Sequence, residues 1–318
     1  MSLPGRLRSR WAALQRATRV ALGRTQSHRV GHHSIRLPAE HLLPQYQRAH
    51  PRYDRFLPHL AAVLAADDVV VDVGANCGDT LVAMASANAA LEFICIEPDA
   101  AFFACLQSNA ALLPATTRVH ALRALVGALF GALVGSMAAG VVLQGGGGTR
   151  AARPGAEGER HTARTLDDIV QGLGSAVAQR VRLVKSDVDG WDHDVIASAR
   201  QLIAATRPLL YFECQFDNAE QHAGYAQLVT QLFASGYVCA FAFDNFGGFM
   251  QRCDSAAPLL QLFSYLWQQN CGRSTRTVHY FDVLMCSAAD LALCERAVQG
   301  HVDDGAGTGA NAGAGQVG

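Results

Sequence analysis

Four acids, Asp72, Glu97, Asp187 and Glu213, each stand where an apolar run of the sequence ends. In an open parallel sheet ligands bind outside the carboxyl ends of the strands, so acids repeated at such ends predict one shared polar site. A strand end is also simply where a polar residue first becomes tolerable, which is the plainer reading of Glu213 taken singly. The first acid opens the stretch Asp72-Val73-Gly74-Ala75-Asn76-Cys77-Gly78-Asp79. Here Gly74 and Gly78 permit a tight turn and allow backbone to approach a ligand where a Cβ would clash. Glu97 follows Asp72 by twenty-five positions, about where a βαβ adenosine site places the acid that holds the ribose hydroxyls. A carboxylate facing two vicinal hydroxyls accepts two charge-assisted hydrogen bonds, each worth about 1.5–3 kcal/mol.

The same architecture serves dehydrogenases, so the composition of the loop decides between ligands. A dinucleotide site wants G-x-G-x-x-G, with the pyrophosphate on a helix N-terminus. This chain has Asn76 where the middle glycine belongs, and Asp72 and Asp79 would repel a pyrophosphate. The loop suits a cationic, phosphate-free nucleoside such as S-adenosylmethionine, whose sulfonium and amino group are both positive. The expected cofactor-binding residues are Asp72, Gly74, Asn76, Gly78 and Glu97, with Asp72 orienting the loop or meeting the ammonium through water. Methyl transfer from a sulfonium is an in-line displacement. The enzyme must bring a nucleophile within about 3 Å of the methyl carbon and take its proton. Asp187, Asp189 and His193 are placed for that. His193 follows Asp189 by one helical turn if a helix begins near Gly190, so the two could meet as a carboxylate-oriented base; the alternative is that His193 lies on the helix's exposed face. Asp187, Asp189 and Glu213 offer oxygen ligands that would suit Mg²⁺, but structural hydrogen bonding is the simpler role and no metal is assigned.

Four blocks, Asp72-Val73-Gly74-Ala75-Asn76-Cys77-Gly78, Glu97-Pro98-Asp99, Thr165-Leu166-Asp167-Asp168 and Leu183-Val184-Lys185-Ser186-Asp187-Val188-Asp189-Gly190, together resemble the FkbM family of S-adenosylmethionine-dependent methyltransferases in order and spacing. The resemblance runs from about Pro51 to Cys286 and is weak between Leu122 and Ala163. The family pattern has Glu where Asp189 stands and usually Ile where Ser186 stands; the shorter acid changes reach more than chemistry. The resemblance implies a Rossmann-like class I methyltransferase fold with an antiparallel closing hairpin, and O-methylation of a hydroxyl on a sugar, glycan or other secondary metabolite. The competing readings are a nicotinamide-dependent oxidoreductase and a membrane-associated binding protein that keeps a degenerate nucleoside fold. The Thr165 block reads best as a helix N-cap with first-turn acids.

At 318 residues, half of them hydrophobic, the chain can bury one sizeable core. A basic segment (1–50), a methyltransferase domain (51–300) and a Gly/Ala-rich tail (301–318) too poor in large apolar residues to order itself are expected. The net charge of −1 and the lack of a basic, aromatic-interleaved stripe give no reason to expect a nucleic-acid partner. The nine cysteines are odd in number and form no C-x-x-C pair, which fits reduced thiols in a cytoplasmic protein. The first thirty residues carry seven arginines and no acid; a transit segment or a helix on anionic lipid stands against a solvated basic helix. The uncharged stretch Ala124 to Gln144 is about long enough to cross a bilayer, but a crossing there would split the acids between two compartments, so it is read as domain interior followed by the loop Gly145 to Gly148.

Between these segments apolar strand-like runs alternate with helical patterns, which specifies a mostly parallel sheet covered by helices. Helices are expected over Asp79 to Asn88, Asp99 to Leu113, Leu166 to Leu173, Asp192 to Ala205 and His222 to Ala234. Strands are expected near Val119 to Val126, Val181 to Val184, Leu209 to Phe212, Tyr237 to Phe243 and Tyr280 to Cys286. The Phe241 to Phe249 stretch, with Asp244 and Asn245, either shapes the acceptor side or turns between closing strands.

Overall fold

Val69-Val70-Val71-Asp72-Val73 is too short and too β-branched to be a buried helix, and in the computed structural model it is a strand at the middle of the protein. The structure describes residues 25–127, 141–144, 151–154, 162–271 and 276–312. In chain order its strands are β1 (Thr25–Val30), β2 (His33–Pro38), β3 (Val69–Val73), β4 (Glu92–Ile96), β5 (Arg118–Leu122), β6 (Leu125–Val126), β7 (Val141–Gln144), β8 (Ala151–Pro154), β9 (Ala163–Arg164), β10 (Val181–Ser186), β11 (Leu209–Cys214), β12 (Tyr237–Asp244), β13 (Phe249–Cys253) and β14 (Phe281–Ser287). Its helices are α1 (Leu43–Ala49), α2 (Phe56–Ala62), α3 (Asp79–Ala87), α4 (Ala100–Ala110), α5 (Leu166–Gly172), α6 (Ser175–Ala178), α7 (Asp192–Ala197), α8 (Arg200–Thr206), α9 (Ala219–Ala234), α10 (Ala256–Asn270) and α11 (Leu291–Ala312).

The main sheet has the order β13-β12-β14-β11-β10-β3-β4-β5. Strands β5, β4, β3, β10 and β11 run parallel, and β14 pairs antiparallel with both β11 and β12. From β3 the chain crosses outward to β4 and β5, then returns to β10 on the other side of β3. Strand order therefore reverses between β3 and β10, the place where such sheets bind ligands. Side chains alternate between two cores. Val69, Val71 and Val73 pack with α5, α7, α9 and α10, whereas Val70, Phe93 and Cys95 face α2, α3 and α11. The α/β architecture with helices on both faces is the one expected.

Several boundaries differ from expectation for local reasons. The helix expected over Asp192 to Ala205 is two helices, because Ser198 turns inward: its Oγ donates to Val195 O and accepts from Leu166 N. The run Val119 to Val126 also breaks, and Leu125–Val126 leaves the sheet to pair with Ala163–Arg164. The Tyr237 and Tyr280 runs pair antiparallel as β12 and β14, but β14 slots between β11 and β12, so the consecutive hairpin is β12–β13.

Residues 25–50, expected to belong to a loosely packed basic segment, are built into the domain. The β1–β2 hairpin buries Val30, Ile35 and Leu37 against Cys77, Val82 and Phe102. At the other end, α11 runs past position 301 into the segment assigned to a tail. His301 is buried and its Nε2 bonds to Gly247 O at 2.7 Å, while Arg52 donates to the carbonyls of His301 and Val302. These polar contacts supply what composition could not. The arginine-rich residues 1–24, most of the Ala124 to Gln144 stretch, the Gly145 to Gly148 loop and residues 313–318 lie outside the described residues. Among the described residues no helix is long and apolar enough to cross a membrane.

Candidate active site

The ends of β3, β4, β10 and β11 open onto a cavity of about 440 Å³, a size that accommodates a cofactor-scale ligand. Glu97 closes β4 at one end of it. The carboxylate is fixed by two backbone donors, Asn76 N to Oε2 at 2.9 Å and Asp99 N to Oε1 at 2.8 Å. Each oxygen keeps a lone pair for a ligand. Burial lifts Glu97 to about 7, against the two N–H bonds that favour its charged form. Asp99 in turn caps α4, accepting from Ala101 N and Phe102 N.

Asn76 adopts the left-handed φ of +48°, which turns its N–H toward Glu97, and its side-chain oxygen lies 3.2 Å from His41 Nε2. His41, just after β2, thus joins the N-terminal hairpin to the ligand loop. The glycines of that loop meet a constraint other than ligand approach. At Gly74 (φ +74°) a Cβ would fall 2.0 Å from Asp187 O, and at Gly78 (φ +78°) it would fall 2.7 Å from Leu106 Cδ1. Protein packing fills the space that each missing Cβ leaves. Gly74, Asn76, Asp79 and Glu97 line the cavity, whereas Asp72 and Gly78 lie beneath it.

Asp72 is fully buried and ion-paired with Lys185, whose Nζ is 2.9 Å from Oδ1. The same Nζ donates to Gly74 O at 3.2 Å and stands 3.7 Å from Asp187 Oδ2. Burial pulls the Lys185 ammonium down, but Asp72 and Asp187 outweigh it and hold the group charged. Of the two roles expected for Asp72, the geometry accords with orientation of the loop and leaves no direct path to a ligand. Lys185 sits inside an apolar strand, where a single lysine gives no sign of its partner until β3 and β10 are known to be neighbours.

Asp187 and Asp189 line the cavity beside Glu213. Asp187 follows β10 with its side chain about half exposed, and the chain turns through the left-handed Asp189 (φ +52°) and Gly190 (φ +90°). Ser186 and Asp192 hold this turn closed: Asp192 Oδ1 accepts from Ser186 Oγ at 2.6 Å and Val188 N at 3.2 Å, and Oδ2 accepts from Tyr225 OH. The departure from the family pattern at Ser186 therefore has a partner. Because α7 begins only at Asp192, Asp189 lies outside the helix and the expected Asp189–His193 pair on one helical turn does not form. His193 is buried instead, 4.9 Å between ring centroids from Tyr225 and 6.0 Å from Trp191, and is not among the residues that line the cavity. Burial lowers its imidazole to about 4.

Glu213 is 7% exposed and its Oε1 is buried without a hydrogen-bond partner. Burial, with Asp187 and Asp192 nearby, pushes its carboxyl well above the usual range. Across the antiparallel register it faces Asp282, raised likewise by burial and by Asp187. Tyr53, Asp54 and Tyr280 lie near Glu213, and Trp191 also lines the cavity. The sequence gives no sign of these four because they come from segments remote from one another, with no motif of their own. The Phe241 to Phe249 stretch turns between two strands of the sheet edge, with Asp244 Oδ1 accepting from Phe246 N and Gly248 N, and its Asn245 and Phe246 also line the cavity. Thr165 caps α5 through Asp168 N, and Asp167 accepts from Gln201 N and Leu202 N, so that block is structural. Among the described residues no group of three or more His, Cys, Asp or Glu side chains is arranged to hold a metal ion.

Residues 72–247, more than half of the chain, match the model of the methyltransferase FkbM domain. No curated protein matches the sequence. Among solved structures the chain is similar to a methyltransferase FkbM from Methylobacillus flagellatus KT (14% identity over 69% of this chain and 43% of that one, TM-score 0.37). It is also similar to a putative transferase from Pyrococcus horikoshii (10% identity, 83% and 72% of the two chains, TM-score 0.41). A third is TYW2 of M. jannaschii in complex with AdoMet (9% identity, 83% and 86%, TM-score 0.39). The chain spans less than half the length of the first of these.

Proposed function

We propose, from the premise that this chain belongs to the FkbM methyltransferase family, that it transfers a methyl group from S-adenosylmethionine to a hydroxyl oxygen of a sugar, glycan or related small molecule. The observation that carries this reading is Glu97, a buried carboxylate fixed by two backbone N–H groups with a lone pair to spare on each oxygen. That arrangement suits a vicinal diol. The loop beside it offers Asp79 and no G-x-G-x-x-G turn, which suits a positively charged nucleoside better than a pyrophosphate.

When bound, the cofactor supplies an electrophilic methyl group on a positively charged sulfur. Glu97 holds the ribose hydroxyls, and Asn76, through its bonds to Glu97 and His41, keeps the loop at the right height. Asp187, at the switch point between β3 and β10, takes the proton that the acceptor hydroxyl gives up. Lys185 sets the position of Asp187 and neutralises Asp72 beneath it. The sites are thus divided between binding at β4 and proton removal at β10.

The experiment is transfer of a labelled methyl group from S-adenosylmethionine to a panel of sugars and hydroxylated metabolites, with the product resolved by NMR. Methyl on oxygen is expected. Methyl on carbon or nitrogen in every competent acceptor would overturn the hydroxyl assignment.

A further inference from the structure

The cavity is asymmetric in charge and lining. Glu97 marks the nucleoside end on β4, and Glu213 lies three strands away on β11. At about 4.8 Å per strand step, the two carboxylates stand roughly 14 Å apart along the sheet. A nucleoside anchored at Glu97 therefore leaves the β11 end to the acceptor. At that end Asp187 and Asp189 neighbour Glu213, and Tyr53 lies beside Asp54, Asp187, Glu213 and Tyr280; Trp191 and Phe246 line the same cavity. Lys185 Nζ, 2.9 Å from Asp72 and 3.7 Å from Asp187, is shared between those two acids and is not paired with Glu213.

Resting on the methyltransferase reading above, we propose that the acceptor carries a protonated amine next to the methylated hydroxyl, and that Glu213 with its neighbouring acids and rings holds that ammonium. Glu213 is nine-tenths buried, lines the cavity and has an oxygen with no partner in the protein. Leaving a buried acceptor unsatisfied is costly, and an ammonium offers three donors to it and its neighbours. Aromatic faces attract the same cation. The acids crowd one another there: burial, with Asp187 and Asp192 beside it, holds the Glu213 carboxyl well above the usual range. A neutral sugar relieves none of this repulsion, whereas a bound cation relieves it directly. The ammonium form also explains the choice of oxygen. A protonated nitrogen has no lone pair, so methyl transfer would fall to the neighbouring hydroxyl: the O–C bond would form as the S–CH3 bond breaks, the electron pair going to sulfur to leave neutral S-adenosylhomocysteine, and the hydroxyl proton would pass to Asp187.

The test is calorimetric titration of the protein saturated with S-adenosylhomocysteine, using D-glucosamine, N-acetyl-D-glucosamine and methylammonium chloride as probes. Glucosamine is expected to bind at least tenfold more tightly than its N-acetyl form, methylammonium to compete with it, and Glu213→Gln to abolish the preference while leaving S-adenosylhomocysteine affinity within a few-fold. Asp54→Asn serves as the second variant should Glu213→Gln fail to fold. Equal or tighter binding of N-acetylglucosamine, no binding of either amine, or an unchanged preference in the folded variant would overturn the proposal. Loss of S-adenosylhomocysteine binding by the parent protein would instead count against the methyltransferase reading itself.

Discussion

Lys185 Nζ lies 2.9 Å from Asp72 Oδ1, with both side chains buried beneath the ligand loop. This pair ties β10 to β3 at the point where strand order reverses. Breaking a buried ion pair from one side leaves an uncompensated charge and costs about 3–5 kcal/mol. Lys185→Ala should therefore destabilise the fold by about that amount in denaturant unfolding, and the double variant Lys185→Met with Asp72→Asn should recover a large part of it. Equal instability of single and double variants would show that the pair is not the source of the loss.

Gly74 is constrained twice, by a φ of +74° and by Asp187 O lying 2.0 Å from where a Cβ would be. Strain of this kind costs about 1–3 kcal/mol at a single residue, and here the contact is with backbone that cannot rotate away. Gly74→Ala is expected to lower thermal stability and to weaken S-adenosylhomocysteine binding at least tenfold, because the loops after β3 and β10 must move apart. Calorimetry and thermal unfolding on the same sample check both.

The β3 loop was legible in the sequence because its parts are local. Asp72, Gly74, Asn76 and Glu97 lie in two consecutive strand-to-helix turns, where spacing alone reports geometry. The β10 side of the cavity was legible only in part. Asp187 and Asp189 follow an apolar strand and could be found, but the start of α7 at Asp192, fixed by Ser186, Val188 and Tyr225 bonding to that carboxylate, moved His193 out of reach. The hairpin of residues 25–38 and the helix at the C-terminal end were hidden for a different reason: their order comes from long-range contacts, Phe102 on Leu37 and Arg52 on His301, which composition does not encode.

Glu97 gives the cofactor site a pH dependence whose sign follows from its function as an acceptor. Burial raises its carboxyl to about 7, and hydrogen bonds from a ribose diol favour the charged form. Affinity for S-adenosylhomocysteine should rise as pH increases through about 7, level off above it, and be lowest in the acid range where Glu97 is protonated. Loss of the two charge-assisted bonds in Glu97→Ala, each about 1.5–3 kcal/mol, should weaken binding by two orders of magnitude or more and flatten this profile between pH 6 and 8.

Asp187 and His193 should fail differently when changed. Asp187→Asn keeps volume and removes the proton acceptor, so it is expected to bind S-adenosylhomocysteine within several-fold of the parent and to lose most of its transfer activity. His193→Ala opens a gap against Tyr225 and should lower stability by about 1–3 kcal/mol while leaving the pH profile of turnover unchanged. Near-normal turnover by Asp187→Asn would remove it from the mechanism.

On the function proposed above, this cavity holds a cationic nucleoside cofactor on Glu97 and not a dinucleotide. Isothermal titration of the purified protein with S-adenosylhomocysteine and, separately, with NAD tests it most directly. One saturable site for S-adenosylhomocysteine and no measurable heat with NAD is the expected result; tighter binding of NAD would contradict it.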